Sequence, residues 1–276
     1  MEKNTLMETT RQYLLSSKLN SISKEIALDS ELISTKIFEE PILAIAEAGS
    51  PEFDTLKLEH VIGEHFMAPQ EWLPKAKSVI SFFFPFTETI RNSNKVNMHY
   101  PSKGWLHGRV EGQVFLDSFS GFISEYLNER DFETVSPSID ERFRSNTDKD
   151  NMEIHKLYTS NWSERHIAYV CGLGTFGLSK GIITEKGMAG RLTSIITELP
   201  VLPDKKEKKY YNEDCTMCGA CIKNCPVNAI SFKQGKNQEA CSKFIELTLS
   251  ENKPRYGCGK CQIDVPCESR NPRNSR

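Results

Sequence analysis

Eight cysteines after residue 214 constrain the fold of this chain more than any other feature of its sequence. The stretch CTMCGACIKNCP has the spacing C-x2-C-x2-C-x3-C-P, which is typical of domains that hold two 4Fe-4S clusters, because three thiolates bind one cluster and the fourth binds the other. Such a domain needs further ligands downstream, and the chain contains them. The full set is Cys215, Cys218, Cys221, Cys225, Cys241, Cys258, Cys261 and Cys267.

The order of ligands in two-cluster domains predicts which cysteines share a cluster. We expect a first cysteine set of Cys215, Cys218, Cys221 and Cys267, and a second cysteine set of Cys225, Cys241, Cys258 and Cys261. In CQIDVPC five residues separate the two cysteines, where bacterial runs usually have three. Two four-cysteine zinc centres are the alternative, and the third C-x2-C step and the following proline favour iron-sulfur clusters.

Length and charge narrow the remaining classes of protein. A chain of 276 residues suits a main domain with a small second one. The formal net charge of -2 provides no overall field that attracts nucleic acid. The start MEKNTLMETTRQYLL is no secretion signal, and SVISFFFPF is far shorter than the ~20 residues of a membrane helix. We therefore expect a cytoplasmic protein with no membrane association, whose reduced thiols bind metal.

The sequence divides at a proline-containing and lysine-rich connector, LPVLPDKKEKKYYNED, over 199–214. We predict an α/β or α+β domain over 1–204 and a ferredoxin-like domain over 205–276. The first domain contains helical periodicity in TLMETTRQYLLSSKL and GQVFLDSFSGFISEYLNE and a strand in AKSVISFFFPF. The DKKEKK run is interpreted as a solvated connector whose lysines could also guide an acidic electron donor.

Gly172, Gly174 and Gly177 have the G-x-G-x-x-G spacing of dinucleotide sites. Such a site needs a strand before the glycines and a helix after them. Here a helix capped by Ser163 comes first and ends at Gly172, and GIITEKGMAGRLTSIITEL follows as a predicted hairpin. A dinucleotide site is therefore not expected. The alternatives are a close backbone approach to a large group or a turn that binds nothing.

Four stretches in order resemble the epoxyqueuosine reductases and, more distantly, the reductive dehalogenases: WLPKAKSVISFFFPF, GLGTFGLSKGIITEKGMAGRLTSIITELP, CTMCGACIKNCP and GCGKCQ. These families are cobalamin-dependent enzymes with a nitroreductase-like α/β domain followed by a two-cluster ferredoxin-like domain. The resemblance implies a bound cobalamin near one cluster. The residues that it places near the corrinoid are Arg109, Gly172, Gly174, Thr175, Gly177 and Ser179.

The chain departs from the epoxyqueuosine reductases where the proton donor is expected. In WLHGRVEGQ, Gly108 and Arg109 match the family, but Val110 replaces its acidic residue and cannot donate a proton. The candidates that could substitute are Glu111, His107, His99 and Tyr100. Leu178 occupies the position of a family lysine, and Lys180 lies two positions later. The chain also ends nine residues after Cys267, without the helical-repeat tail that helps many of these reductases hold tRNA.

We therefore expect a reductase in which a low-potential donor such as a ferredoxin or flavodoxin reduces the clusters and a corrinoid reduces a small-molecule substrate. Nucleic acid is not expected as a partner. The alternatives are a ferredoxin-like electron carrier without cobalamin and a reductive activator of another protein's corrinoid. Three further side chains have two interpretations each: Cys171 is a buried apolar residue or a reactive thiol, and His65 and His166 are core histidines or face a cofactor.

Overall fold

The computed structural model of the chain describes residues 2–146, 158–205 and 210–274. Four lysine and glutamate positions of the DKKEKK run, 206–209, lie outside these ranges, so the predicted role of the run in docking a donor lies outside them as well. Within the described ranges, no helix combines the length and the apolar character that a membrane span requires.

A four-stranded antiparallel sheet forms the centre of the first part of the chain. Its spatial order is β1, β2, β8, β3. All residues of β2 are buried, as the apolar run SVISFFFP requires, and the predicted strand is confirmed. The strands of this sheet are β1 (Ile42–Glu47), β2 (Ser78–Pro85), β3 (Thr134–Val135) and β8 (Gly190–Thr197).

Helices and loops cover both faces of this sheet. Alternate residues of β2 enter two different cores. Phe82 and Phe84 pack against the long helix over Lys103–Asn128, and Val79 and Phe83 pack on the opposite face of the sheet. The two predicted helices are confirmed, the second as part of a longer helix that begins at an N-cap serine. The helices of this part are α1 (Lys3–Ser16), α2 (Glu52–Thr55), α3 (Pro69–Trp72), α4 (Glu88–Ser93), α5 (Lys103–Asn128) and α6 (Glu164–Val170).

The predicted hairpin after the glycines is wrong in its pairing. Strand β7 (Ile182–Thr184) pairs with β6 (Gly174–Phe176), which contains the central glycine, and β8 instead joins the central sheet. The physical reason lies in the turn, where the Met188 and Ala189 N–H groups donate to the Cys267 and Glu268 carbonyls at 2.9 and 3.0 Å. These bonds direct the chain away from β7. A further short pair joins β4 (Ser145–Asn146) and β5 (Thr159–Ser160).

The cysteine-rich part is built from short elements around its metal-binding loops. Its elements are α7 (Ala220–Lys223), β9 (Ile230–Ser231), β10 (Gly235–Lys236) and α8 (Gln238–Asn252). Its last segment lies beside the β7–β8 turn, where the Asn271 N–H also donates to the Glu185 carbonyl at 3.2 Å. The fold is thus mixed, with an antiparallel central sheet. The domain boundary near residue 205 stays a prediction, because these contacts cross it.

Candidate functional site

The first cysteine set surrounds one cavity. Cys215, Cys218, Cys221 and Cys267 line a cavity with an empty volume of ≈ 380 Å³, including its open mouth. The apolar side chains of Ile183, Met188 and Val265 form other parts of its wall. The structure therefore brings together the four cysteines that the spacing assigns to one cluster, although Cys267 comes from a segment 46 residues after Cys221.

The second cysteine set lies beside the first. Cys261 interacts electrostatically with Cys241 and Cys225, and Cys258 does so with Cys261 and Cys241. Cys241 stands on the first turn of α8, whereas Cys258 and Cys261 lie in the loop after that helix. The Ala229 N–H donates to the Cys225 sulfur at 3.1 Å, and such donors are among the groups that set cluster potentials.

Burial favours the protonated form of three of these thiols, Cys221, Cys258 and Cys267, when no metal is bound. Burial, followed by the neighbouring thiols, raises the pKa of Cys221 to about 11 and that of Cys267 to about 12. Burial likewise raises the pKa of Cys258 to about 12. Metal binding must therefore displace protons from these thiols.

The arrangement of the cysteines bears on which kind of metal group they could hold. Among the residues that the structure describes, no three His, Cys, Asp or Glu side chains converge closely enough to hold one metal ion. A tetrahedral zinc centre needs such convergence, because its Zn–S bonds are about 2.3 Å long. Thiols distributed around a cavity fit a 4Fe-4S cluster better, since each thiolate binds a different iron.

The glycine stretch is divided between two surfaces. Gly172, Gly174 and Thr175 line an open groove beside α1 and β1, whereas Gly177 and Ser179 line the cavity of the first cysteine set. Gly172 has φ +85° at the end of α6, and a Cβ at Gly174 would collide with the Ile183 carbonyl across the β6–β7 pair. These two glycines are therefore explained by the backbone itself, without a ligand.

Thr175 connects the glycine strand to both ends of the cysteine-rich part. Its buried hydroxyl donates to Asp214 Oδ2 at 2.9 Å and accepts from the Asp214 N–H at 2.8 Å. Asp214 Oδ1 in turn accepts from Asn271 Nδ2 at 2.6 Å. Because Asp214 directly precedes Cys215, this buried tie positions the start of the first cysteine set.

Two of the predicted proton donors, Glu111 and His107, belong to one buried network. His107 Nε2 accepts from the Leu28 N–H at 3.0 Å, so the ring proton lies on Nδ1 and faces Glu111 Oε2 at 3.0 Å. Arg255 donates to both Glu111 oxygens, at 3.2 and 2.7 Å. Burial alone would raise the pKa of Glu111, but these hydrogen bonds and charges lower it below its ordinary value.

The other predicted donors lie away from this network. Tyr100 donates to Glu251 Oε2 on α8, and burial followed by that carboxylate raises the pKa of its phenol. His99 is exposed in the adjacent loop. The structure therefore brings Glu111 and His107 together in one hydrogen-bond network with Arg255. Tyr100 is not part of this network and instead contacts Glu251.

Five cations gather beside the second cysteine set, and the sequence analysis named two of them, Arg109 and Lys180. Arg165 interacts electrostatically with Arg109, Cys261 and Cys241, and Arg191 interacts with Arg109 and Arg165. Lys180 lies in range of Arg165 and Lys236, and Lys236 in range of Cys261. We call this group the cationic cluster: Arg109, Arg165, Lys180, Arg191 and Lys236. One signal in the sequence is the arginine inside the otherwise uncharged strand GRLTSIIT.

Two residues flank the cationic cluster. The Arg109 guanidinium lies over the Tyr256 ring at 4.9 Å from its centroid. His166 Nδ1 faces the Ser163 hydroxyl at 2.8 Å, and burial followed by Arg165 and Lys180 lowers the pKa of its ring to about 4. This histidine is therefore neutral at physiological pH.

The remaining single residues have structural surroundings. Cys171 is buried at the end of α6, and burial raises the pKa of its thiol strongly, which agrees with an unreactive apolar role. His65 Nε2 faces the Thr159 hydroxyl at 2.9 Å. Neither residue belongs to the cysteine sets or to the cationic cluster.

Comparison with known families supports the iron-sulfur interpretation. Residues 208–231 match the 4Fe-4S binding domain family, and this segment contains the first four of the eight cysteines. A tetrachloroethene reductive dehalogenase of Desulfitobacterium hafniense is 36% identical over 69 residues, which are 25% of this chain and 12% of that protein. An epoxyqueuosine reductase of Vibrio cholerae serotype O1 is 25% identical over 167 residues, 54% of this chain and 43% of that protein. The matches span less than half of either relative.

Solved structures of both families share the fold of this chain. An epoxyqueuosine reductase from Streptococcus thermophilus superposes with a TM-score of 0.52 at 16% identity over 97% of this chain and 66% of that chain. A catabolic reductive dehalogenase in complex with 3-bromo-4-hydroxybenzoic acid superposes with a TM-score of 0.52 at 12% identity over 83% of this chain and 30% of that chain. The predicted resemblance to these two families is confirmed.

Proposed function

We propose that this protein is an iron-sulfur oxidoreductase in which two 4Fe-4S clusters deliver electrons to a bound corrinoid that reduces a small molecule. One observation carries the proposal: the eight cysteines form two adjacent sets, and the second lies against the cationic cluster between α5, α6 and β8. Cys261 is within electrostatic range of Cys221 in the first set. An electron path from one set to the other and then to the first part of the chain is therefore short.

The residues beside the second cysteine set fit a large bound group better than the glycine strand does. Among the described residues, Arg191 Nε is buried without a hydrogen-bond partner, and Arg165 is exposed at the start of α6. Of the residues expected around a corrinoid, Arg109 belongs to the cationic cluster, and Ser179 directly precedes Lys180.

A corrinoid supplies a cobalt centre of very low potential, and cysteine-ligated 4Fe-4S clusters reach down to about -700 mV. The protein contributes binding, orientation and exclusion of water. Met188 and Val265 cover the first set with apolar surface, and the Trp105 ring packs on the backbone of the loop between Cys258 and Cys261. Arg165 places a positive charge near Cys261 and Cys241, which favours the more negative, reduced state of a cluster there.

Tyr256 is our candidate for the proton donor. Its phenol lies under the Arg109 guanidinium and within electrostatic range of Arg191. Glu111 and His107 are less suited, because the Glu111 carboxylate pairs with Arg255 and the His107 Nδ1 proton already faces that carboxylate. A small-molecule substrate agrees with the formal net charge of -2, which offers nucleic acid no general attraction.

Anaerobic purification followed by cluster reconstitution tests the proposal. We expect about eight irons per chain, as two 4Fe-4S clusters require, and a change in the visible spectrum when hydroxocobalamin is added. About eight irons without any cobalamin binding would leave the ferredoxin-like electron carrier, or an activator of another protein's corrinoid. Two zinc ions and less than one iron per chain would contradict the redox function altogether.

A further inference from the structure

Three arginines from three different elements meet in the cationic cluster. Arg109 stands on α5, Arg165 on the first turn of α6 and Arg191 on β8. Each lies within electrostatic range of the other two, since Arg109 acts on Arg165 and Arg191, and Arg165 acts on Arg191. Two helices and a strand thus bring three positive charges close together.

These three arginines have no carboxylate partner at ion-pair distance among the residues that the structure describes. Arg191 donates to the Gln113 side-chain oxygen, and its buried Nε has no partner in the described structure. Arg109 lies over the Tyr256 ring. Asp117 is near enough to affect Arg191 electrostatically but accepts its hydrogen bond from Gln113 at 2.7 Å.

This arrangement of guanidinium groups destabilises the folded protein unless an anion lies among them. Like charges at short range repel, and a buried guanidinium donor without an acceptor loses its hydration without replacement. The thiolates of the second cysteine set compensate Arg165, which is near Cys261 and Cys241. Asp117 is the one carboxylate among the described groups that affect Arg191, and its Oδ1 accepts from Gln113 rather than from the guanidinium. Among the described residues, Arg109 and Arg191 therefore have no anionic hydrogen-bond partner.

We propose that Arg109, Arg165 and Arg191 form a binding site for an oxyanion, a carboxylate or a phosphate, carried by the ligand that occupies the space beside the second cysteine set. Planar guanidinium groups match the geometry of both anions. The inference rests on the proposed function and deepens it, because it names the substrate class as a small molecule with an anionic group. The same chemistry would also bind the phosphodiester in the nucleotide tail of cobalamin.

Titration of the reconstituted protein with simple probes tests the site itself. The probes are inorganic pyrophosphate and succinate, with uncharged succinamide as the matched control, followed by calorimetry at two salt concentrations. We expect binding of at least one anion, no binding of succinamide, and weaker binding at higher salt. Arg165→Gln should lower the affinity for the anion at least about tenfold, as loss of a charge-assisted hydrogen bond predicts. Arg165→Lys should retain part of that affinity.

Arg165 is the residue to replace because its side chain is exposed and makes no hydrogen bond in the described structure. Its substitution therefore removes no bond on which folding depends. The matched control is Arg130→Gln, an exposed arginine at the end of α5, which should bind the probes like the unmodified protein. Iron content should be unchanged in both variants, and Arg130→Gln should also leave the paramagnetic spectrum of the reduced clusters unchanged.

A comparison of cobalamin with cobinamide, which lacks the nucleotide tail, identifies the source of the anion. If the site binds the substrate, Arg165→Gln weakens succinate or pyrophosphate and leaves both corrinoids unchanged. If it binds the phosphodiester, the variant weakens cobalamin and leaves cobinamide unchanged. A shift in cluster potential without any anion binding would overturn the proposal and make the arginines counter-charges of the clusters. Anion binding without any corrinoid binding would support this site and contradict the proposed function.

Discussion

The network of Glu111, His107 and Arg255 makes a prediction that separates a structural role of Glu111 from a catalytic one. The substitution is Glu111→Gln, which keeps the shape of the side chain and removes its charge. The Glu111 and Arg255 side chains are 15% and 11% exposed, so this is a largely buried ion pair. It joins α5 to the loop before Cys258, and Arg255 also donates to the Ile26 carbonyl at 3.0 Å.

The expected magnitude follows from this burial. Removing one partner of a buried ion pair costs about 3–5 kcal/mol, and a neutral amide that keeps one acceptor oxygen recovers part of it, since neutral hydrogen bonds contribute about 0.5–1.5 kcal/mol. We therefore expect a loss of about 2–4 kcal/mol in the free energy of unfolding. For a protein of this size that corresponds to a fall of about 5–10 °C in Tm.

The pH dependence has a definite sign. The pKa of Glu111 is lowered from an ordinary value of 4.5 in the folded protein, so its contribution to stability is present above that value and is lost as the pH falls through the folded pKa. The difference in Tm between the unmodified protein and Glu111→Gln should therefore be full at pH 7 and shrink under acid conditions.

Scanning calorimetry of cluster-loaded protein at several pH values is the assay. The matched control is Glu129→Gln beyond the end of the same helix, where Glu129 is 67% exposed and pairs with Arg130. This substitution should change stability by no more than about 0.5 kcal/mol. A Glu111→Gln protein with an unchanged Tm and no pH-dependent difference would refute the structural role. Glu111 would then be free to act as the proton donor.

Three further predictions concern the clusters, the buried thiol and a buried acid. Cys267→Ser should remove the cluster of the first cysteine set and leave the other, and paramagnetic resonance showing loss of the opposite cluster would contradict the pairing. Cys171 should resist iodoacetamide at pH 8 until the protein is denatured, because burial raises the pKa of its thiol, which mass spectrometry of labelled peptides checks. Burial raises the pKa of Glu164 from 4.5 to about 7, so its contribution to stability is present at low pH and is lost as the pH rises through about 7. The Tm of Glu164→Gln should therefore exceed that of the unmodified protein at pH 8 but not at pH 5. Equal pH profiles of Tm for the two proteins would contradict this.

Local patterns in the sequence predicted much of the cluster site. Metal-binding loops obey short-range geometry, so the C-x2-C steps assign Cys215, Cys218 and Cys221 to one set without knowledge of the rest of the fold. The predominantly apolar run SVISFFFP likewise predicts a buried strand, because a central strand buries both of its faces. Helix α6 (Glu164–Val170) was predicted from the serine before it and the glycine after it, although the Ser163 hydroxyl faces His166 Nδ1 and makes no capping bond.

Long-range contacts limited the other predictions. The β7–β8 segment has hairpin composition, but hydrogen bonds to the Cys267 and Glu268 carbonyls, about 80 residues away in sequence, decide its pairing. The role of Glu111 depends on Arg255, which no spacing rule connects to it. The cationic cluster likewise combines residues from α5, α6 and β8, so only the tertiary structure places them together.

The buried hydrogen bonds among Thr175, Asp214 and Asn271 restrict which domains can be exchanged between proteins of this fold. The connector near residue 205 is the obvious point at which to join a different ferredoxin-like domain to the first part of the chain. A transplanted domain without an acid before its first ligand and an amide after its last would leave the Thr175 hydroxyl buried without its partner. It would also lack the Cys267 and Glu268 carbonyls that direct the strand toward the central sheet. The two parts of the chain are therefore interdependent in structure. A chimera must retain both the hydrogen bonds of Thr175 and those to the Cys267 and Glu268 carbonyls in order to fold.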